Sequence, residues 1–138
     1  MNLKIVKPQD WVILAEDFHW AVFGKIKPAT KDRIDYTMLV EQDEIAQMYI
    51  TCRELDSETV YWQFGGSLPP ARGSIKSYRA YVICIEWAAM VYKRISTLID
   101  NTNKVMLKAA ASVGFKIVGV KNLGGTILLD HVLEFKGV

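Results

Sequence analysis

The spacing of apolar residues along the N-terminal part of the chain changes from the period of a strand to that of a helix. Leu3–Lys7 alternates and predicts a first strand, which Pro8 ends. Asp10 can cap a helix that follows and that Gly24 ends. The buried face of this helix is predicted to consist of Trp11, Leu14, Ala15, Phe18 and Val22. The polar segment Lys25–Asp35 can hold a short second helix.

Three strands are predicted next. Tyr36–Val40 and Ile45–Cys52 are joined by a tight polar connection, Glu41–Glu44, which indicates an antiparallel hairpin. After a charged loop, Thr59–Phe64 is rich in aromatic and β-branched residues and predicts a fourth strand. The segment Gly65–Gly73 then forms a Gly/Pro-rich loop.

A long helix is predicted from this loop to about Tyr92. It carries two apolar stripes, the first formed by Ile75, Tyr78, Val82, Ile85 and Ala89 and the second by Cys84, Trp87 and Val91. A helix that is apolar on most sides is normally packed between a sheet and other elements, so we expect both stripes to be covered.

The C-terminal third predicts a strand, a helix and a hairpin, at Arg94–Ile99, Lys104–Val113, Phe115–Val120 and Thr126–Phe135. Asp100–Asn103 is a helix-starting cluster, Gly114 ends the helix, and Gly124–Gly125 turns the hairpin. Hairpins followed by a βαβ-like unit predict an α/β domain with a mixed sheet.

Composition indicates one soluble globular domain. The chain has 138 residues, of which 51% are hydrophobic and 23% charged. A net charge of +2 gives no reason to expect nucleic-acid binding. The first residues predict no signal peptide, and Ala80–Tyr92, interrupted by Glu86, is too short and too polar to span a bilayer. We therefore expect a cytoplasmic protein with no membrane partner.

Cysteine and histidine residues offer few candidates for chemistry. Cys52 and Cys84 could pair, but reduced buried thiols are expected in a cytosolic protein. His19 in the first helix is either a base or acceptor contact, or a boundary residue satisfied by backbone or water. His131 faces away from its neighbour Asp130 in a strand, which favours a structural role.

Metal-ligand spacing is absent, whereas aromatic residues form one recognisable group. No Cys/His cluster has metal-ligand spacing, so we expect no metal site. A group of aromatic residues is expected in the core rather than around a cofactor, namely Trp11, Trp20, Tyr61, Trp62 and Trp87.

The C-terminal third also carries a spacing that resembles the GNAT superfamily of N-acyltransferases. Asn103 at the end of the fifth strand is followed, eleven residues later, by Gly114 and then by Phe115 at the start of the sixth strand. The resemblance implies a mixed, mostly antiparallel twisted sheet of six or seven strands with about four helices. It also implies that strands four and five run parallel and splay apart.

This resemblance implies acyl-CoA as co-substrate, with pyrophosphate bound by the loop Pro70–Ser77 at the start of the following helix. The loop also has a local excess of basic residues, and the alternative interpretation is an ordinary helix start with solvated basic side chains. The residues that the resemblance assigns to cofactor binding are Phe64, Gly65, Arg72, Gly73, Ser74, Lys76, Ser77 and Asn103.

Several positions depart from the GNAT pattern. Small residues usually follow the loop arginine at three and five positions, where this chain has Ile75 and Ser77. The tyrosine that many members place seven residues after the asparagine is Ala110 here, and the fourth strand carries no carboxylate. The remaining candidates for catalysis are Tyr61, Ser112 and His19.

Two functions are therefore open at this stage. One is transfer of an acetyl or acyl group from CoA to an unidentified amine by direct attack. The other is a catalytically inactive module that binds a protein partner or a second copy of itself. The chain as a whole also resembles small GNAT-like proteins encoded near the head-assembly genes of short-tailed bacteriophages, which would place it in the host cytoplasm or the virion.

Overall fold

The computed structural model describes residues 1–24 and 33–135, which form seven strands and three helices. The strands are β1 (Asn2–Val6), β2 (Tyr36–Gln42), β3 (Ile45–Glu54), β4 (Thr59–Ser67), β5 (Arg94–Asp100), β6 (Lys116–Leu123) and β7 (Thr126–Glu134). The helices are α1 (Pro8–Phe23), α2 (Ile75–Val91) and α3 (Lys104–Ser112). Most of the segment predicted to hold a short second helix, Lys25–Asp35, lies outside the described residues.

The sheet has the strand order β1-β2-β3-β4-β5-β7-β6 and is mixed, as predicted. The pairs β1–β2, β2–β3, β5–β7 and β6–β7 are antiparallel. Strands β4 and β5 are parallel, with α2 as the crossover between them. Their ladder runs from Thr59↔Arg94 to Trp62↔Thr97, although β4 continues to Ser67 and β5 to Asp100.

The chain divides into two compact units, one of residues 1–53 and 63–87 and the other of residues 54–62 and 88–138. In the first unit, Leu39 and Tyr49 pack with Trp11 of α1, whereas Tyr36 makes an edge-to-face contact with Trp87 of α2. Because neighbouring residues of a strand point to opposite faces, α1 and α2 cover opposite faces of β2 and β3. This explains why Tyr36–Val40 is buried at every position.

The start of α1 differs from the sequence-based expectation. The helix begins at Pro8 with Lys7 as its N-cap, and Asp10 lies inside the first turn instead of capping it. Proline suits the first helical position because its missing N–H would have no intrahelical partner there. Gly24 ends the helix as predicted, with a φ of 72° and its N–H donating to the Trp20 carbonyl oxygen.

The exposure of α2 contradicts the expectation that both its apolar stripes are covered. Its buried face is formed by Ala80, Tyr81, Cys84 and Ala88. On the first stripe Ile75 is 63% and Tyr78 48% exposed, and Val82 and Ile85 are only half-buried. Val91, on the second stripe, is also exposed. Only one side of the helix is therefore fully buried in the described part of the chain.

The predicted aromatic core is correct for two of its four tryptophans. Trp11 and Trp62 are buried, and Tyr61 and Trp87 are half-buried. Trp20, in contrast, is 61% exposed. Trp20 lies near the C-terminal end of α1. It does not belong to the predicted buried face of this helix, which starts at Trp11.

In the second unit, Phe115 packs against both Trp62 and His131. His131 is buried, and its Nδ1 lies 2.9 Å from the Leu129 carbonyl oxygen, which agrees with a structural role. Strand β6 lies at the edge of the sheet, and its pairing with β7 shifts register between Ile117 and Gly119.

Two glycines allow β4 to approach its neighbours in the first unit. A Cβ on Gly65 would lie 2.5 Å from the Tyr49 carbonyl oxygen, and a Cβ on Gly66 would lie 2.6 Å from a methyl of Val22. Neither position can hold a larger residue without a shift of backbone or packed side chain. The Gly-Gly pair was predicted to lie in a loop. It instead forms the end of a strand, where neighbouring residues pack closely against both glycines.

No helix among the described residues is long and apolar enough to cross a membrane.

We predict that Gly65→Ala lowers the free energy of unfolding by about 1–3 kcal/mol, because the new methyl would overlap the Tyr49 carbonyl oxygen. Urea denaturation of the purified protein would measure the change. Gly119→Ala is the matched control: it also lies in a strand, and its Cβ would meet nothing closer than 3.7 Å. Equal stability of the two variants would contradict the predicted overlap.

Candidate functional site

The C-terminal half of β4 is held by a side chain as well as by backbone. The Phe64 N–H donates to Thr51 Oγ1 at 3.0 Å, and the Thr51 hydroxyl lies 3.2 Å from the Phe64 carbonyl oxygen. After the strand, the Leu68 N–H donates to the Gln47 carbonyl oxygen at 2.8 Å. These bonds fix Phe64 and Gly65, two of the predicted cofactor contacts, at the point where β4 enters the loop.

The loop between β4 and α2 consists of overlapping turns. The N–H groups of Ala71 and Arg72 donate to the Leu68 carbonyl oxygen, and the Ser74 N–H donates to the Ala71 carbonyl oxygen. Gly73 has a φ of 72°, a left-handed conformation that favours glycine, and no atom lies within 4 Å of its Cβ position. The glycine therefore serves the backbone path of the loop and faces open space.

Ser74 organises the start of α2. Its Oγ accepts from the Lys76 N–H at 3.2 Å and donates to the Ala71 carbonyl oxygen at 2.7 Å. Among the described residues, the N–H groups of Gly73 and Ile75 have no hydrogen-bond acceptor. Two free donors at the positive end of a 17-residue helix form an arrangement that favours an anion.

Arg72 is engaged within the protein. Its guanidinium donates to the Ala21 carbonyl oxygen at 2.6 Å and, more weakly, to that of Ser67 at 3.5 Å. Ala21 lies in the last turn of α1, where carbonyl groups lack intrahelical partners. The side chain expected to face an anion therefore ties the loop to α1, and its role in cofactor binding stays a prediction.

The other loop candidates differ in exposure. Lys76 is exposed, while the Ser77 hydroxyl is hydrogen-bonded to the Ser67 hydroxyl. The Ile75 side chain is 63% exposed, so it points into solvent rather than under the loop. The side chain therefore does not cover the N–H of Ile75.

His19 is buried, so the interpretation of it as a boundary residue is wrong. It is 2% exposed, and its Nδ1 lies 2.6 Å from the hydroxyl of the fully buried Tyr49. Aromatic rings surround the imidazole, with Tyr49 stacked on it and Phe23 and Phe64 meeting it edge to face. A neutral imidazole whose Nδ1 accepts a hydrogen bond from the phenol hydroxyl gives both buried atoms a partner.

Burial sets the protonation of this pair. It lowers the pKa of His19, because a buried imidazolium would lose its hydration, and it raises the pKa of Tyr49 for the same reason. The histidine is thus held neutral and the tyrosine protonated near neutral pH. Both groups are in states that suit a structural hydrogen bond.

Three of the remaining candidates belong to the second unit. Asn103 Oδ1 accepts from the Met106 N–H at 3.2 Å and caps α3, as the helix-starting cluster predicted. The exposed Ser112 donates to the Ala109 carbonyl oxygen, while Tyr61 is half-buried. Ala110 is fully buried and offers no donor.

The sequence did not single out the side chains that support these candidates. Tyr49 and Thr51 lie in a strand recognisable only from its apolar pattern, and Ser67 precedes its partner by ten residues without any motif. Gln63 was also missed: its Oε1 is buried and has no hydrogen-bond partner among the described residues. Only the folded contacts reveal these residues.

No group of three or more potential ligands for a metal ion occurs in the described ranges. Cys52 and Cys84 are buried and unpaired, which confirms the expectation of reduced thiols. Burial raises the pKa of Cys84 to about 12, so this thiol is unreactive at neutral pH.

We predict that stability falls as the pH drops below 6.5. The folded pKa of His19 is lowered, so between that pKa and 6.5 the unfolded chain binds a proton that the folded chain does not. Urea titrations at pH 7.5 and 5.5 would measure this loss. In His19→Gln, which retains a hydrogen-bond acceptor for Tyr49, the loss should be smaller; an unchanged pH dependence would show that His19 does not cause it.

Comparisons with known proteins identify the fold. No family model matches the sequence, and no curated protein is significantly similar to it. Solved structures do match, among them the ribosomal-protein-S18-alanine N-acetyltransferase from Escherichia coli. Its TM-score is 0.79 at 8% sequence identity, over 99% of this chain and 95% of that one.

Two further matches carry cofactor-related ligands. Arabidopsis thaliana Naa50 in complex with the bisubstrate analogue CoA-Ac-MVNAL has a TM-score of 0.71 at 15% identity, over 98% of this chain and 100% of that chain. The putative acetyltransferase yncA from Salmonella typhimurium, with its cofactor acetyl-CoA, has a TM-score of 0.64 at 14% identity, over 96% and 92% of the two chains. The parallel β4–β5 pair and the strand order are thus those of the GNAT N-acetyltransferase fold.

Proposed function

We propose that this protein is an acyl-CoA-dependent N-acyltransferase. The observation that carries the proposal is the pair of free N–H groups, on Gly73 and Ile75, where the loop after β4 becomes α2. Free amides at a helix N-terminus bind phosphate well. Two solved structures of this fold hold acetyl-CoA or a CoA analogue, which supports the same class of ligand here.

The residues of the loop fit a pyrophosphate in charge and shape. The two amides supply donors, Lys76 supplies an exposed positive charge in the first turn, and the open space beside Gly73 leaves room for an approaching anion. Arg72 contributes by holding the loop on α1. The Ser77 hydroxyl, already bonded to Ser67, would support the backbone rather than contact phosphate.

In the proposed reaction, a neutral amine attacks the thioester carbonyl carbon, a C–N bond forms, and the C–S bond breaks to release CoA. The amine proton passes to water, and the thiolate is protonated from solvent. Orientation alone supplies a large share of such a rate acceleration, so the alanine at position 110 does not prevent it. Gln63 Oε1 has no hydrogen-bond partner among the described residues, and a rotation of this half-buried side chain would let it accept a hydrogen bond from the amine and so orient it.

The competing function is a catalytically inactive binding module. Two observations favour it: the GNAT tyrosine position is the buried Ala110, and Ser112 is bonded within its own helix and exposed. Origin in a short-tailed bacteriophage would fit this alternative. An enzyme would need an amine acceptor, whereas an inactive module would need a protein partner. Binding and turnover measurements separate the two functions.

We predict that calorimetric titration with acetyl-CoA gives a micromolar Kd that Ile75→Pro weakens by about tenfold or more. Proline is tolerated at the first helical position but removes the free N–H, and a hydrogen bond to a charged group contributes ~1.5–3 kcal/mol. Ile75→Ala, which retains the N–H, is the control and should bind as the wild type does. Absence of heat at millimolar acetyl-CoA would leave only the module.

We further predict that CoA thiol release, measured against a panel of small amines and peptides with free N-termini, detects turnover. Gln63→Leu, which has a similar shape and no hydrogen-bonding group, should lower kcat/KM about tenfold and leave the acetyl-CoA Kd unchanged. Tight binding of acetyl-CoA without release of thiol for any amine would identify the inactive module instead.

A further inference from the structure

One face of α2 is apolar and uncovered. Ile75 and Tyr78 are 63% and 48% exposed, and Val82 and Ile85, the next residues at helical spacing, are half-buried. The opposite face of the helix, with Ala80, Tyr81 and Cys84, is buried. This surface, the α2 stripe (Ile75, Tyr78, Val82 and Ile85), lies entirely within the first unit.

Two opposite charges flank the α2 stripe on one side. Arg79 and Glu86 are seven residues apart, so they share a flank of the helix but lie about 10 Å from each other along its axis. That separation is too large for a direct ion pair. Among the described residues neither side chain has an ion-pair or hydrogen-bond partner.

This pattern is self-complementary. When two copies of α2 pack antiparallel about a twofold axis perpendicular to the helix, the charged flank of one helix stays on the same side as that of the other. The axis then passes beside Val82, halfway between the charges. Arg79 of each copy meets Glu86 of the other, and the α2 stripes face each other. In a parallel pair, whose twofold axis runs along the helices, the two charged flanks would lie on opposite edges of the interface, and no Arg79–Glu86 pair would form.

We propose that the protein forms a homodimer in which α2 packs antiparallel against α2 of a second copy. The dimer buries the α2 stripe and forms two equivalent Arg79–Glu86 ion pairs at its edge. Charge complementarity is what identifies a second copy as the occupant, because the same helix supplies both charges in the required order. The proposal does not rest on acyl-CoA binding, although Ile75 contributes its side chain to the α2 stripe and its N–H to the proposed pyrophosphate site.

The test is sedimentation equilibrium of the full chain at several concentrations. The wild type should show twice the 15.6 kDa mass of one chain. Arg79→Glu and Glu86→Arg should each weaken dimerisation at least about tenfold, because each places like charges opposite each other at two sites. The double variant R79E/E86R should restore the wild-type dimer within about threefold.

Lys108→Glu, which makes the same charge change on the exposed side of α3, is the matched control and should dimerise normally. Circular dichroism would confirm the fold of each variant, and Glu86→Arg carries the test if Arg79→Glu does not fold. A wild type that keeps the mass of one chain at about 200 μM, which implies a free energy of dimerisation weaker than about −5 kcal/mol, overturns the proposal. So does a dimer that both single reversals leave intact, or a double variant that is not restored.

Discussion

The arrangement of the first unit depends on how closely β4 approaches β3. Gly65 lies so near the Tyr49 carbonyl oxygen that a Cβ would be only 2.5 Å from it, and Thr51 supplies both hydrogen bonds of the Phe64 backbone. These contacts fix the last residues of β4, after which the chain enters the Leu68–Ser74 loop and then α2.

The same contact links the loop to the buried pair below it. Tyr49, whose carbonyl oxygen limits position 65, is also hydrogen-bonded to His19 through its hydroxyl group. His19 in turn meets Phe64 edge to face, one residue before Gly65. A substitution at any of these residues would therefore shift the backbone at the start of the loop, although none of them is exposed there. Buried polar pairs of this kind favour one packing over its alternatives.

Much of the fold could be predicted from the sequence. Local signals, such as the polar connection between β2 and β3, the Asn103 cap and Gly24, act over a few residues and gave the elements to within a few positions. The predicted start of α1 was wrong because proline can begin a helix as well as end a strand. The expectation that both stripes of α2 are covered was wrong, because the described residues fully bury only one side of this helix.

The candidate site was harder to predict because its properties depend on contacts between distant residues. No pattern in the sequence indicates that Arg72 binds the Ala21 carbonyl oxygen, fifty-one residues away, or that His19 pairs with Tyr49. The expectation for Arg72 came from its place in the GNAT-like loop and from its charge, whereas its guanidinium is already hydrogen-bonded within the protein. Conversely, the sequence shows only the bulky side chain of Ile75, whereas the free N–H of this residue depends on the backbone and becomes visible only in the structure.

The edge strand β6 has a consequence for solubility. It presents Ile117, Val118, Val120 and Leu123 with 57% to 66% exposure, and such an edge would normally recruit strands from other molecules into a growing sheet. The register shift between Ile117 and Gly119 breaks the row of backbone donors and acceptors, and Lys116 and Lys121 add charge. One unpaired residue, Val118, thus helps to keep the folded chain from aggregating through this edge.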